Sequence, residues 1–393
     1  MEMVQVAEIV NASTRQFVGE DTVLLNDLSN VVDVGTEIFN ATSFDHYVKS
    51  LVDHIGKVVF VNRIYTGNVP SMLMDGWEYG AVMEKIQVEP FTAEDNDTWN
   101  LVNGSEYPQD IFYKPTVSAK FYNKRVTFDI PCSITERQVK SAFSNATQLN
   151  AFISSIMTAV ENGITIRLNT LILDTIDNMI AKVVQHNYNE AALNTKSTVQ
   201  AVNLLYLFNK NRPEADHLTA ENCITNMEFL KFASYTMGKY VDRLGVMSTL
   251  FNVGGKQRHT PKDKLHFVLL SDFAKAANSY LQADTFHEEY TKLPNAETVA
   301  FWQGSGSNFE FADTSKIIVK PSTDAAEMAL NQGVTVTGIL GVMWDRDAMG
   351  VSNLQQRVTS HYNAKAEFTN NWFKCEAGYF NDLNENCVVF FVA

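Results

Sequence analysis

Apolar positions keep a helical period over one very long stretch. Leu149, Ile153, Ile156, Val160, Ile164, Leu168, Leu171, Ile172, Ile176, Met179, Ile180 and Val183 recur every three or four residues, to about His186. Asn145, with Gln148 three residues on, resembles a capping box at the start. The pattern predicts a helix of about 40 residues, roughly 60 Å long at 1.5 Å per residue. Only Gly163 weakens it, by about 1 kcal/mol. A solitary helix of this length, without a heptad seam, is unusual in a compact enzyme.

The segments before it are less regular. Residues 1–40 carry scattered apolar positions and predict a mostly extended arm with one short helix. Phe44, Val48, Leu51, Val52 and Ile55 predict a short amphipathic helix over 42–55, ending at Gly56. Residues 57–65 are β-branched and aromatic, hence a strand, and a second strand is predicted near 83–88. Residues 90–116 are acidic and rich in turn formers. The run 116–130 alternates, then resets at Asn123-Lys124, which predicts a turn or bulge. Together, 57–130 reads as a long β-excursion with little core of its own, whose burial lies on another chain.

After the long helix the pattern alternates. It predicts a helix over 225–240, a buried strand at 265–270, and a helix from Ser271 through 281. Strands follow at 316–320 and 334–343. The end is nearly all β, with strands at 358–368, 372–380 and 387–392 and a polar turn at Thr369-Asn370-Asn371. The class is α+β, and no internal repeat is visible.

The chain has 393 residues, 45% hydrophobic and 19% charged, which excludes a disordered or low-complexity protein. No apolar run reaches the roughly 18–20 residues that cross a bilayer. The segment Met1-Glu2-Met3-Val4 lacks the basic and apolar regions of a signal peptide, so folding in a cytoplasm is expected. Cys132, Cys223, Cys375 and Cys387 lie far apart and form no paired motif for zinc or a disulfide framework.

Charge is more informative than composition. The net charge is −14, of which residues 1–60 hold −6 and residues 75–110 hold −8. The remainder is nearly neutral. A protein that grips DNA sequence-specifically should instead carry a basic stripe. The one local positive cluster is Lys256, Arg258, His259, Lys262 and Lys264.

Catalytic signatures are mostly absent. Gly254-Gly255-Lys256-Gln257 lacks the Ser/Thr and the first Gly of a phosphate loop, and reads as a turn. Gly304-Ser305-Gly306 lacks the order of a nucleophile elbow. Asp45-His46 and Asp53-His54 suggest metal ligands or a base with its orienting carboxylate, but eight residues place the two His about 80° apart on a helix. Asp345-Arg346-Asp347 reads as a charged turn at a strand end. No cofactor is expected.

The order of elements resembles the major capsid proteins of tailed bacteriophages, the Hong Kong 97 fold. Phe44-Asp45-His46-Tyr47-Val48 through Val58-Val59 looks like the segment leading into the extended loop of short-tailed phage capsid proteins. Phe152-Ile153-Ser154-Ser155-Ile156 is similar to the start of their spine helix. Phe267–Phe273 and Ala377-Gly378-Tyr379-Phe380 agree as well. The resemblance implies a shell subunit forming pentamers and hexamers of an icosahedral head around double-stranded DNA. It also implies a separate scaffolding protein and a portal as partners, host cytoplasm during assembly and the virion afterwards. It divides the chain into an amino-terminal arm with a short helix (1–56) and an extended β-loop (57–130). A peripheral domain with the spine helix takes 131–190 and 353–380, and an axial domain takes 191–352 and 381–393.

Two other classes remain open: an encapsulin-like nanocompartment shell of the same fold, and an enzyme using Asp45/His46, Asp53/His54 or Asp345/Asp347. For the shell reading, the loop acids Asp75, Glu78, Glu84 and Glu89 are candidate contacts to a neighbouring subunit. Lys256, Arg258, Lys262 and Lys264 are their candidate partners.

Overall fold

A computed structural model describes residues 3–18, 22–40, 44–62, 67–74, 83–91, 93–107, 109–188, 195–282, 296–302, 315–319 and 334–393. The amino-terminal arm is helical rather than extended, a correction to the arm with one short helix. It holds α1 (Met3–Phe17), α2 (Val31–Asn40) and α3 (Phe44–Asn62). The spacings Val6, Ile9, Val10 and Val31, Val34, Ile38 are helical, and these side chains are buried in the main core. The predicted stop at Gly56 and the strand at 57–65 are also corrected as far as Asn62, and residues 63–65 lie outside the described residues. Val59 falls one turn after Ile55 on the buried face, so packing overrides the β preference of Val58-Val59. Gly56 is there for close approach, because a Cβ would sit 2.5 Å from Val358 Cγ2.

The predicted β-excursion is therefore narrower than 57–130. It holds the two-residue β1 (Leu73–Met74) and the pair β2 (Met83–Val88) and β3 (Val117–Tyr122), with β4 (Arg125–Thr135) following after a break at the expected Asn123-Lys124. Thr135 then opens α4 (Glu136–Ala142) with a full capping box: its Oγ1 accepts from Gln138 N at 3.3 Å, and Gln138 Oε1 accepts from Thr135 N at 2.9 Å.

The spine, α5 (Ala146–Asn187), is 42 residues long. Asn145 caps it by accepting from Gln148 N at 2.8 Å, while the Gln148 side chain turns to the Ser144 hydroxyl. Its buried side chains press on the sheets below it. Gly163 lies where Ile130 of β4 crosses, with room for little beyond a hydrogen.

Next come β5 (Ala201–Asn203), α6 (Leu204–Asn209), α7 (Met227–Leu244), β6 (Leu265–Leu270), α8 (Ser271–Gln282) and β7 (Ala296–Val299). The strands β8 (Ile317–Val319) and β9 (Val334–Val336) pair with each other. The chain ends with β10 (Ile339–Asp345), β11 (Met349–Asn363), β12 (Phe368–Asn381) and β13 (Cys387–Phe391). The predicted strand 334–343 breaks at Gly338, whose φ of +77° and contact with the Val392 carbonyl exclude a side chain.

Two larger sheets result. One has four strands in the order β1-β11-β12-β4, and the other has five in the order β5-β13-β10-β6-β7. The α5 helix touches both. The turn joining β11 to β12 is not at Thr369–Asn371. Asn363 Oδ1 accepts from Lys365 N at 3.1 Å and Glu367 takes a left-handed φ of 52°, which places the turn at 364–367. Thr369 and Asn371 instead alternate inward along β12 and are buried.

Candidate subunit-contact surface

The pair β2–β3 is a two-stranded ribbon whose faces are inverted. Side chains alternate along each strand, so residues paired across it share a face. Register places Glu84 opposite Phe121, Ile86 opposite Ala119 and Val88 opposite Val117. These six are the exposed ones, and most are apolar. The other face carries Met83, Lys85, Gln87, Ser118, Lys120 and Tyr122, and it is the half-buried one. A free ribbon would turn its apolar face down. Here the polar face is down.

Charge accounts for the inversion. Lys85 and Lys120 stand directly opposite each other, an arrangement that repels on its own. Both ammonium groups converge on Asp382, in the turn before β13: Lys85 Nζ lies 3.0 Å from Oδ2 and Lys120 Nζ 2.8 Å from Oδ1. The Asp382 side chain is wholly buried. Burial pushes its carboxyl up, but the hydrogen bond from Lys120, the charge of Lys85 and the Asn384 N–H outweigh that and hold it below the usual aspartate value. Lys85 also reaches Glu385 Oε1 at 2.8 Å and the Asp347 carbonyl at 3.0 Å. Gln87 donates to Glu385 as well.

The basic cluster meets the same turn. Arg258 Nε lies 3.4 Å from Glu385 Oε1 and its terminal nitrogen donates to Gln87 Oε1. Lys256 pairs with Glu89, at the end of the ribbon, within the same chain. Lys262 pairs with Asp242 at 3.0 Å and Lys264 with Asp347 at 3.7 Å. Lys256 and Glu89, expected to meet between neighbouring subunits, are here engaged with each other inside one subunit. Glu84 is exposed on the apolar face, and Asp75 and Glu78 lie outside the described residues.

Sequence reasoning did not find Lys120, Asp382 or Glu385. The alternation Lys85-Ile86-Gln87-Val88 was the available signal, but Asp382 lies 297 residues beyond Lys85. No local pattern joins them.

The ribbon and the segment between its strands expose several aromatic side chains. Trp99 is 93% exposed and Phe112 84%, with Phe91 and Phe121 above six-tenths. At about 150–250 Å² per aromatic side chain, these four present roughly 450–800 Å² of apolar surface. The acids Glu94, Asp95, Glu106 and Asp110 are interleaved with them and exposed.

The other candidates behave differently. Asp45 and His46 are 4.0 Å apart on the surface of α3. His46, Asp53 and His54 line one open cleft of about 370 Å³, together with Lys49 and Lys57. Two lysines there oppose a bound cation. Burial and the Lys57 charge lower the His54 pKa, and burial raises that of Asp53. Asp345 is buried, accepting from Thr260 Oγ1 at 2.8 Å and Asp347 N at 2.9 Å, so it builds the turn after β10. No group of three or more metal-ligating side chains occurs among the described residues.

Comparison with known proteins gives the family. Residues 7–391 match the model of the Phi29-like phage major capsid protein family. The major capsid protein of Bacillus phage GA-1 is 25% identical over 142 residues, which is 35% of this chain and 29% of that relative's length. A capsid structure of Staphylococcus phage Andhra aligns at a TM-score of 0.49 and 11% identity, covering 84% of this chain and 86% of that one. A capsid structure of cyanophage P-SCSP1u aligns at 0.46 and 8%, covering 82% and 86%. With the family match spanning nearly every described element, the chain belongs to the Phi29-like phage major capsid proteins, the subunits of a virion shell.

Proposed function

We propose that this capsid subunit forms pentamers and hexamers that tile an icosahedral head of the Hong Kong 97 type around double-stranded DNA. Each β2–β3 ribbon and its acidic, aromatic tip lie across the next subunit. The observation that carries this reading is the inverted ribbon. Its polar side is used up on its own subunit, and its apolar side is left exposed by the described residues. In this arrangement α5 and the four-stranded sheet form the peripheral domain, and the five-stranded sheet forms the axial domain around each capsomer's axis. A separate scaffolding protein and a portal are the expected assembly partners, and DNA is held without sequence readout. The role is structural, with no chemistry asked of Asp45, His46, Asp53 or His54.

Electron microscopy of the purified protein under assembly conditions tests the reading directly. Closed shells are expected for the wild type. The variant Ile86→Lys/Phe121→Lys changes two exposed side chains, so the subunit should fold and melt as before while shells are lost. Shells in normal yield from that variant would show that the ribbon's outer face is not a contact.

A further inference from the structure

We propose that Asp382, gripped by the cross-strand lysines Lys85 and Lys120, is the positioning residue that decides which face of the β2–β3 ribbon is offered to the next copy of this chain. The proposal rests on the reading of the ribbon's outer face given above. A two-stranded ribbon is marginal by itself, and the face turned toward the body carries few apolar side chains to hold it there. Met83 and Tyr122 sit at one end, the latter ring against Phe380 at 5.3 Å. The remaining anchors are ionic or polar: Lys85 and Lys120 on Asp382, Lys85 and Gln87 on Glu385, Gln87 on Arg258 and Glu89 on Lys256.

Asp382 differs from the other anchors in two ways. Among the described residues it alone ion-pairs with both strands at once. It is also the carboxylate that Lys85 and Lys120 share, and Lys120 has no other ion-pair partner among the described residues, whereas Lys85 also holds Glu385. The turn that carries it is fixed independently: Asp382 N donates to the Ala348 carbonyl at 2.6 Å, and Asp382 Oδ1 accepts from Asn384 N at 3.0 Å. A fixed buried carboxylate thus selects the ribbon pose with the lysines down and Ile86, Val88, Val117 and Phe121 up. Without it, Lys120 has no acid beneath it and repels Lys85 across the register, which leaves only the Lys85 strand ionically held to the body through Glu385. The apolar face is then free to collapse onto its own subunit, where it is unavailable to a neighbour.

The test is amide hydrogen exchange on the unassembled full chain, combined with light-scattering assembly kinetics. Asp382→Asn should speed exchange across 83–88 and 117–122 at least tenfold, leave α5 unchanged, and slow assembly. Asp382→Glu, which keeps the carboxylate, should retain part of the protection. The second-site variant Asp382→Asn/Lys120→Met should recover part of what Asp382→Asn loses, because it removes the unpaired Lys120 charge and its repulsion of Lys85. A merely structural aspartate gives no such rescue. Wild-type ribbon exchange in Asp382→Asn, or no recovery in the double variant, overturns the proposal. If Asp382→Asn does not fold, Lys120→Met alone carries the test. It should loosen the ribbon several-fold with α5 unchanged, and unchanged ribbon exchange again overturns the clasp. Exchange reads the clasp without reference to shells. Normal assembly of Ile86→Lys/Phe121→Lys would remove the docking reading and leave the exchange result standing.

Discussion

Two buried aspartates show how differently one residue type behaves when its surroundings differ. Asp382 is surrounded by donors and stays ionised. Asp177, on α5, is buried without compensation: Oδ1 has no hydrogen-bond partner, and burial followed by the nearby Asp174 charge raises its pKa well above the usual value. The sign of the pH effect follows. Between the ordinary aspartate value and the raised one, the folded chain binds more protons than the unfolded chain, so stability falls as pH rises through that window. Asp177→Asn removes the ionisable group and keeps the shape. It should stabilise the isolated subunit at pH 7, because the unfolded wild-type chain gains by ionising Asp177 and the folded chain does not. The gain should shrink toward pH 4. Denaturant melts at the two pH values measure it, and an equal effect at both would mean that Asp177 is not titrating as described.

At the scale of elements, the spine carries the largest share of the core. Ile156 and Leu171 are both on its buried face. Ile156→Asp or Leu171→Asp should abolish soluble folding, since an unpaired carboxylate there costs several kcal/mol. A melting curve like that of the wild type from either variant would place the face elsewhere. This helix was legible in the sequence because its period persists over many turns and Asn145 supplies a cap. So were β2, the break between β3 and β4, and β6 running into α8 at Ser271. Other elements were hidden for physical reasons. The stretch 57–62 has strand-like residues but joins α3 because Ile55 and Val59 share a buried face. Helices α1 and α2 do carry helical spacings, Val6, Ile9, Val10 and Val31, Val34, Ile38, but each is a short run among polar residues and reads as scattered. Thr369–Asn371 has turn-like composition, yet the Asx turn at Asn363 takes the reversal four residues earlier. The clasp was illegible for a different reason. It joins Lys85 to Asp382 and Glu385 across most of the chain, and only the folded topology brings them together.

Over the whole molecule, charge and apolar surface are concentrated on the same excursion, and each limits the other. Trp99, Phe112 and their neighbours would aggregate indiscriminately if nothing opposed them. Residues 90–110 contain five acids and no Lys or Arg, which keeps free subunits apart while leaving the loop attractive to a basic or neutral surface. Glu89 is already engaged by Lys256 at the ribbon's end, so the steering charge is the exposed set Glu94, Asp95, Glu106 and Asp110. The cluster 256–264 remains a proposed partner through Lys262 and Lys264, whose side chains are 69% and 51% exposed despite their own pairs. Exposed pairs are each worth under about 1 kcal/mol, so single reversals should change little. The triple variant Glu94→Lys/Asp95→Lys/Glu106→Lys should fold and melt normally, because these side chains are exposed and the core does not use them. Its assembly should be slowed or blocked at low salt. The difference from the wild type should narrow near 1 M salt, where the screening length falls to about 3 Å. Light scattering across a salt series reads both effects together. An unchanged rate with an unchanged salt dependence would mean that the acids only keep the loop soluble, and that its apolar side chains alone select the neighbour.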